Sequence, residues 1–206
     1  MEKQWVGDVY ANFAKADEHP NVLYNYATCM NVRLLGSVID NIDVFCGTPI
    51  GGYNFSVILG WTYNRRVVKA EKKVTALATE KTREQTELVF ARHDIERGVR
   101  YAIVEDVCNN FSTTETLIAL IMSLGGSVTA IVCELNRSLD FEDYYYPSKV
   151  AGGRLIPVAS LVRKPIPEYR QDDPAVIDDI RIGNVVWKPK IEWPRLMKAM
   201  ADSRNY

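Results

Sequence analysis

Two consecutive strand–helix–strand patterns limit what this chain can fold into. The first runs from a short apolar, β-prone segment at 42–46 through a helical segment to a second short strand at 65–70. The second runs from the apolar segment 101–104 through a helix, which a Gly pair ends, to the apolar strand 127–135. This order is typical of a parallel sheet with helices on both faces, so the sequence predicts an α/β fold.

The rest of the chain is divided around these units. The segment before residue 40 is expected to be mainly helical. The stretch 71–90 is charged and has no clear period, so it is expected to be a mobile polar loop. Residues 139–206 are rich in Pro, Tyr and Trp and predict a C-terminal extension. We therefore expect one domain over 1–206, in which a central parallel sheet at about 40–138 is flanked by helices.

Charge and hydropathy exclude several classes of protein. The 25 basic and 26 acidic residues give a net charge of −1, so no overall field favours nucleic acid. The longest apolar stretches, such as 117–124, fall short of the roughly 18–20 residues that span a bilayer, and the N-terminus lacks the apolar region of a signal peptide. We expect a cytoplasmic protein without nucleic-acid or membrane partners.

Loops that follow strands are candidate sites, because ligands of an open parallel sheet bind beyond the carboxyl ends of its strands. The loop 47–52 is rich in Gly, so its backbone amides are open to an anion that approaches the main chain. Gly-rich loops are also common as plain turns. This loop alone leaves both an anion site and a structural turn open.

The loop after the strand 101–104 combines acids with small polar residues. Glu105 and Asp106 stand where carboxylates could accept hydrogen bonds from the vicinal hydroxyls of a sugar. Amide and hydroxyl groups follow near the predicted helix N-terminus, which favours phosphate; they belong to Asn109, Asn110, Ser112, Thr113 and Thr114. The pattern suits a ribose 5-phosphate. Solvated acids before a capping box of Ser112 with Glu115 are the alternative, and physical chemistry alone leaves both open.

One segment resembles a family signature. Residues 101–137 are YAIVEDVCNNFSTTETLIALIMSLGGSVTAIVCELNR, and they resemble the phosphoribosyl pyrophosphate (PRPP) signature of the type I phosphoribosyltransferases, orotate phosphoribosyltransferases especially. Upstream, 42–73 is similar to the pyrophosphate loop, helix and following strand of the same family, and 90–107 is similar to its approach to the signature. The resemblance covers about 40–138 with every element in family order.

The resemblance implies transfer of ribose 5-phosphate from PRPP to a nucleobase, with Mg²⁺ as cofactor and release of pyrophosphate. Orotate is the first candidate for the base. By position, Glu105 and Asp106 would hold the ribose hydroxyls and Asn109–Thr113 the 5-phosphate. Mg²⁺ is expected to bind through pyrophosphate and water, with no direct protein ligands. Relatives are commonly homodimers, so a homodimer is expected.

The resemblance also assigns the pyrophosphate side of the site. Thr48, Gly51 and Gly52 would lie against pyrophosphate. Lys72 and Lys73 would lend it positive charge. These roles rest on family position and not on any spacing that the sequence itself establishes.

Further cations are expected to close the site. In the orotate enzymes a mobile loop covers the site and supplies basic side chains, and Lys81 and Arg83 would take that role here. An anionic base such as orotate needs a basic or amide-lined pocket. Candidate sources of that charge are Arg33, Lys15 and Arg154.

The phosphate loop departs from the family pattern. The family usually has TTGGS where this chain has NNFST at 109–113, so Phe111 and Ser112 replace two glycines. Gly permits positive φ and close approach of backbone to phosphate, which Phe does not provide cheaply. A second hypothesis is therefore a protein of the same fold that binds PRPP or a nucleotide as a regulator or interaction partner and transfers nothing.

Overall fold

The computed structural model describes residues 5–30, 38–76, 85–148, 153–189 and 191–203. They belong to two compact units. The larger unit is Phe13–Pro165, and the smaller combines Met1–Asn12 with Ile166–Tyr206. The assignment of the whole chain to one domain with a C-terminal extension stays a prediction.

Helices and strands are distributed along the whole described chain. In chain order they are β1 (Val6–Gly7), α1 (Ala14–Asp17), α2 (Pro20–Met30), a 3-10 turn (Ile39–Asn41), β2 (Val44–Gly47), α3 (Gly52–Tyr63), β3 (Arg66–Lys69), β4 (Glu71–Ala76), β5 (Gln85–Val89), β6 (Arg100–Cys108), α4 (Ser112–Ser123), β7 (Ser127–Asn136), β8 (Tyr144–Tyr145), β9 (Ile156–Arg163), β10 (Glu168–Tyr169), α5 (Pro174–Arg181) and α6 (Trp193–Ser203).

Six strands of the larger unit form one sheet in the order β3-β2-β6-β7-β9-β8. Every neighbouring pair is parallel except β8 with β9. The predicted central parallel sheet is confirmed. It also includes β9, which lies in the stretch expected to be an extension, because an apolar run there pairs along β7. The carboxyl ends of β2 and β6 meet at one edge, so the loops that follow them lie side by side.

Helices cover both faces of the sheet. On one face, Leu117 and Ile121 of α4 are buried with Ile103 and Ile131 of the sheet. The opposite face is covered by α2 and α3, and its core includes Ala27, Met30, Phe45, Phe55, Leu59 and Val104. Side chains of a strand alternate between faces, so each central strand supplies both cores and reads as a continuous apolar run. This explains why the strand segments were recognisable from composition.

Part of the stretch 71–90 is a pair of antiparallel strands and not a mobile loop, so that expectation was wrong. β4 and β5 pair with each other, with Val74 opposite Thr86. Lys73 lies 3.3 Å from the carboxylate of Glu87 across the pair. The high charge hid the β-branched residues, and cross-strand pairs of opposite charge are compatible with a solvated two-stranded ribbon.

In its described residues, the smaller unit contains one short ribbon and two helices. β1 pairs antiparallel with β10. The carboxylate of Asp173 accepts a hydrogen bond from the backbone N–H of Ala175, and Pro174 follows it as the first helical residue, which together begin α5. No helix in the part of the chain that the structure describes is long and apolar enough to cross a membrane.

Candidate functional site

The loop after β2 is fastened to β6. The backbone N–H of Thr48 donates to the carbonyl of Val104 over 2.9 Å. A Cβ at Gly52 would stand 1.9 Å from that same carbonyl oxygen, so only Gly allows α3 to begin this close to the sheet. The loop is therefore short, close to β6 and poor in side-chain bulk.

The two sequence motifs meet at Gly51 and Asp106. A Cβ at Gly51 would lie 2.2 Å from Cγ of Asp106 and within 2.5 Å of both carboxylate oxygens. The Asp106 carboxylate thus lies directly against the backbone of the Gly-rich loop. One of its oxygens also accepts from the N–H of Val107 over 2.8 Å. The structure brings the predicted ribose acid and the predicted pyrophosphate loop together.

Glu105 and Asp106 are not equivalent. Glu105 is only 9% exposed, whereas Asp106 is half-buried. Burial raises the pKa of Glu105 to about 8, the Asp106 carboxyl adds to the rise, and the Thr48 hydroxyl opposes it. The Glu105 carboxyl therefore holds its proton more tightly than an ordinary glutamate does, and Asp106 is the more accessible of the two acids.

The segment after β6 turns sharply into α4. Phe111 has φ 58° and ψ 16°, which is the left-handed conformation, and Ser112 is the first helical residue. The side-chain oxygen of Asn110 accepts from the N–H of Ser112 over 3.0 Å. The N-terminus of α4 therefore lies a few residues after the two acids, and its backbone N–H groups favour an anion there.

The capping box that the sequence left open as an alternative does not form. Ser112 lies inside the helix and makes no side-chain cap, and the left-handed Phe111 stands at the cap position. Glu115 is buried, and its carboxylate accepts from the hydroxyl of Ser148 over 2.8 Å. Glu115 also lies close enough to raise the pKa of Tyr145, which burial raises to about 12. The acid anchors the helix to the later chain instead of capping it.

The Phe111 side chain points into the core. It is 3% exposed, and its ring stacks on that of Tyr145 with centroids 4.7 Å apart and planes inclined at 11°. Phe141 meets both rings edge-on, at 5.4 Å from Phe111 and 4.8 Å from Tyr145. The left-handed backbone that Gly would adopt freely is therefore held here by an aromatic cluster, and the Phe111 ring does not fill the loop.

The predicted cations are only partly placed by the structure. Lys73 is engaged with Glu87, while Lys72 is exposed and has no ion pair with any described residue. Lys81 and Arg83 lie outside the described residues. Sequence reasoning missed Lys69, the last residue of β3, which pairs with Gly47 in register and lies with Nζ 4.8 Å from the ring centroid of Tyr53. Its position at a strand end could have identified it.

The cations suggested for an anionic base are not assembled at these loops. Lys15 pairs with Glu18 on the surface over 2.6 Å, and Arg33 lies outside the described residues. Arg154 precedes β9 and lies at the amino edge of the sheet, the edge opposite the two acids. Arg137, directly after β7, is instead a basic residue at the carboxyl edge.

A buried acid that the sequence analysis missed lies beside Asp106. Glu134 lies on β7, the strand next to β6. The residues before and after it pair with the residues before and after Asp106, so the two acids lie side by side on neighbouring strands. Glu134 is 1% exposed, and neither of its carboxylate oxygens has a hydrogen-bond partner among the described residues. Burial raises its pKa to about 8, with Asp17 and Asp106 adding to the rise. Glu134 could have been recognised in the sequence as a single acid inside an apolar strand, because a buried charge is costly without a partner.

Among the described residues, no group of three or more His, Cys, Asp or Glu side chains is arranged to hold a metal ion. The more accessible carboxylate, that of Asp106, is a hard oxygen donor of the kind that orders a hydrated magnesium ion.

The chain is similar to phosphoribosyltransferases in sequence and fold. It is 28% identical over 167 residues to an orotate phosphoribosyltransferase of Caldanaerobacter subterraneus, covering 81% of this chain and 75% of that protein. It is 28% identical over 115 residues to an adenine phosphoribosyltransferase of Ruminiclostridium cellulolyticum, covering 52% of this chain and 67% of that protein.

The fold is similar to the crystal structure of an orotate phosphoribosyltransferase from Aeropyrum pernix, with a TM-score of 0.53 and 13% identity over 75% of this chain and 78% of that one. No protein-family model matches the sequence. The two comparisons agree: this chain has the fold of the type I phosphoribosyltransferases and is similar to them in sequence.

Proposed function

We propose that the protein transfers ribose 5-phosphate from PRPP to a nucleobase and releases pyrophosphate. The observation that carries the proposal is the contact of the Asp106 carboxylate with the backbone at Gly51. It joins an acid suited to sugar hydroxyls to a loop suited to an anion, at the edge of the sheet where ligands bind. The sequence relatives support the same activity class.

Each part of PRPP has a matching surface in this arrangement. Asp106, with Glu105 behind it, accepts hydrogen bonds from the ribose hydroxyls. The turn Asn109–Thr113 and the N-terminus of α4 receive the 5-phosphate, because backbone N–H groups and the helix dipole favour negative charge there. The loop 47–52 faces the pyrophosphate, and Lys69 at the end of β3 places a cation beside that loop.

The reaction needs little proton transfer from the protein. The bond between ribose C1 and the pyrophosphate oxygen breaks, the electron pair leaves with pyrophosphate, and a ring nitrogen of the base forms the new bond to C1 and loses its own proton to water. Mg²⁺ bound to pyrophosphate supplies positive charge for the leaving group. The protein positions the two reactants and stabilises the charges, and Lys81 and Arg83 are proposed to complete the cationic side of the site.

Orotate remains the first candidate for the base. The similarity to the Caldanaerobacter orotate enzyme extends over more of this chain than that to the adenine enzyme. Arg137 stands at the carboxyl edge, directly after the strand that neighbours the strand of Asp106, where a guanidinium group would suit an anionic base. A homodimer and a cytoplasmic location stay predictions that rest on the family resemblance.

The second candidate is a regulator that binds PRPP or a nucleotide without transferring it. The NNFST loop favours it, because the family glycines are absent. Against it stands the left-handed backbone at Phe111, which preserves the turn while its ring packs elsewhere.

Pyrophosphate release separates the two candidates. The protein is incubated with PRPP, Mg²⁺ and separately orotate, uracil, adenine, guanine and hypoxanthine, with Asp106→Asn as the inactive control. Release with one base, lost in the variant, supports the transferase. Stabilisation by PRPP without release for any base would instead support the regulator.

A further inference from the structure

A pocket lies at the amino edge of the sheet, away from the acids. It has a volume of about 560 Å³ and is formed where β6, β7 and β9 begin. Pockets of roughly 300–1,000 Å³ commonly hold small molecules. Arg100 lies on β6 at this edge and Asp106 lies on the same strand at the other edge. A strand rises about 3.3 Å per residue, so roughly 20 Å separates the pocket from the two acids.

The lining of this amino-edge pocket is largely apolar. Met122, Val128 and Ile156 contribute aliphatic surface, and Leu155 is 64% exposed at the pocket. Among the described residues that line it, none carries a carboxylate. An apolar surface open to water with no acid in its wall favours a ligand with a flat or aliphatic body.

Two arginines give the amino-edge pocket its charge. Arg100 is fixed in place, because its guanidinium nitrogens lie 2.6 and 2.9 Å from the two carboxylate oxygens of Asp43. A third nitrogen lies 3.3 Å from the side-chain oxygen of Asn41. Arg154 is exposed and makes neither an ion pair nor a hydrogen bond with any described residue. One guanidinium is therefore committed to the protein, and the other is available to an anion.

We propose that the amino-edge pocket binds a small organic anion, a compound with an apolar ring and a single carboxylate or phosphate group. The ring packs against Val128 and Leu155, and the anionic group pairs with Arg154. The hydroxyl of Thr129, which already donates to the carbonyl of Asn41 over 2.7 Å, lines the polar side. This site does not depend on the transferase activity, and its ligand is not a substrate of the acids at the opposite edge.

The probes are naphthalene-2-carboxylate and its uncharged twin naphthalene-2-carboxamide, titrated calorimetrically into the full chain. The carboxylate is expected to bind more tightly than the amide. Arg154→Ala should weaken binding of the carboxylate by roughly tenfold, because one charged contact is lost. It should change the affinity for the amide by no more than about twofold. Arg92→Ala, which removes an exposed arginine of the same unit that does not line the pocket, should change neither.

A second variant keeps the proposal testable without removing an arginine. Leu155→Asp places a carboxylate at an exposed position and should abolish binding of the carboxylate while the fold, followed by circular dichroism, is retained. Absence of carboxylate binding to the unmodified chain would overturn the proposal. So would equal losses in Arg154→Ala and Arg92→Ala, or loss of carboxylate binding in Asp106→Asn, which would place the probe at the other edge.

Discussion

The ring of Phe111 stacks on the ring of Tyr145 while the Phe111 backbone occupies the left-handed region. A non-Gly residue in that region costs about 1–3 kcal/mol of stability. Here the aromatic contacts and the burial of a whole ring offset that cost. An anchored phenylalanine thus holds the left-handed turn that leads into α4.

The left-handed backbone at Phe111 makes Gly a better replacement than Ala. Phe111→Ala should lower the free energy of unfolding by about 3–5 kcal/mol, since it empties an aromatic site and leaves Cβ at positive φ. Phe111→Gly removes the same ring but relieves the backbone, so it should be more stable than Phe111→Ala by about 1 kcal/mol. Urea unfolding measures both.

Phe141 is the matched control for that comparison. It belongs to the same cluster but is absent from the positive-φ residues among those described. At this position Ala should be the more stable replacement, because Gly gains only chain entropy in the unfolded state. An identical order of Ala and Gly at positions 111 and 141 would contradict the anchoring account.

Because Gly51 contacts Asp106, we expect substitutions at these two positions to have coupled effects on the free energy of unfolding. Gly51→Ala should lower the free energy of unfolding by about 1–3 kcal/mol, because the new methyl group overlaps the carboxylate. Asp106→Ala added to that variant should recover most of the loss. A double-mutant cycle in urea gives the interaction free energy, and strict additivity of the two changes would show that the two groups do not touch in solution.

Glu134 predicts a specific loss of stability as pH rises. Its pKa is raised to about 8 in the folded protein, so the native state holds the proton more tightly than the unfolded chain does. The stability present below the ordinary pKa of a glutamate is therefore lost as pH rises towards about 8. Glu134→Gln should flatten the fall in Tm between about pH 5 and 8.

The pH experiment needs a second variant, at Glu105, and a control at an exposed acid. Glu105 also has its pKa raised to about 8, so part of the fall should survive in Glu134→Gln and disappear only in the double variant with Glu105→Gln. Glu87→Gln, at an exposed acid, is the control. An unchanged slope in Glu134→Gln would mean that this carboxyl is charged or hydrated at neutral pH.

Lys69 is expected to bind pyrophosphate. Lys69 lies at the carboxyl end of β3, beside Gly47 and Tyr53, and so places a positive charge next to the loop 47–52. Lys69→Ala should weaken binding of magnesium pyrophosphate by roughly tenfold in a calorimetric titration, because a charge-assisted contact is lost. Lys15→Ala, which removes a surface lysine paired with Glu18, should leave the affinity unchanged.

The central sheet was predictable because its strands are buried on both faces. The segments 101–104 and 127–135 read as continuous apolar runs, and the helix between them shows its buried stripe at Leu117, Ile118 and Ile121. The strands extend further than these runs, since β6 continues to Cys108. That extension includes Glu105 and Asp106, and a strand that ends in acids cannot be told from a strand followed by a polar loop by hydropathy alone.

The parts that were missed depend on contacts distant in sequence. The position of Arg154 required knowing that β9 joins the sheet in parallel, which fixes the edge on which its preceding loop lies. The partner of Glu115 is Ser148, far along the chain, so local sequence could not decide whether Glu115 belongs to a capping box. The ring that stabilises Phe111 belongs to Tyr145, and no local rule at 109–113 could indicate it.

Binding of PRPP with Mg²⁺ tests the account most directly. The rise in Tm on adding PRPP and Mg²⁺ is measured for the unmodified chain, for Asp106→Asn, and for Asp140→Asn, which removes a charge at an exposed acid outside the site. Ligand that binds the native state alone raises stability by an amount that grows with its affinity. We expect the shift in the unmodified chain and in Asp140→Asn and its loss in Asp106→Asn. An equal shift in all three proteins would contradict the placement of PRPP at Asp106.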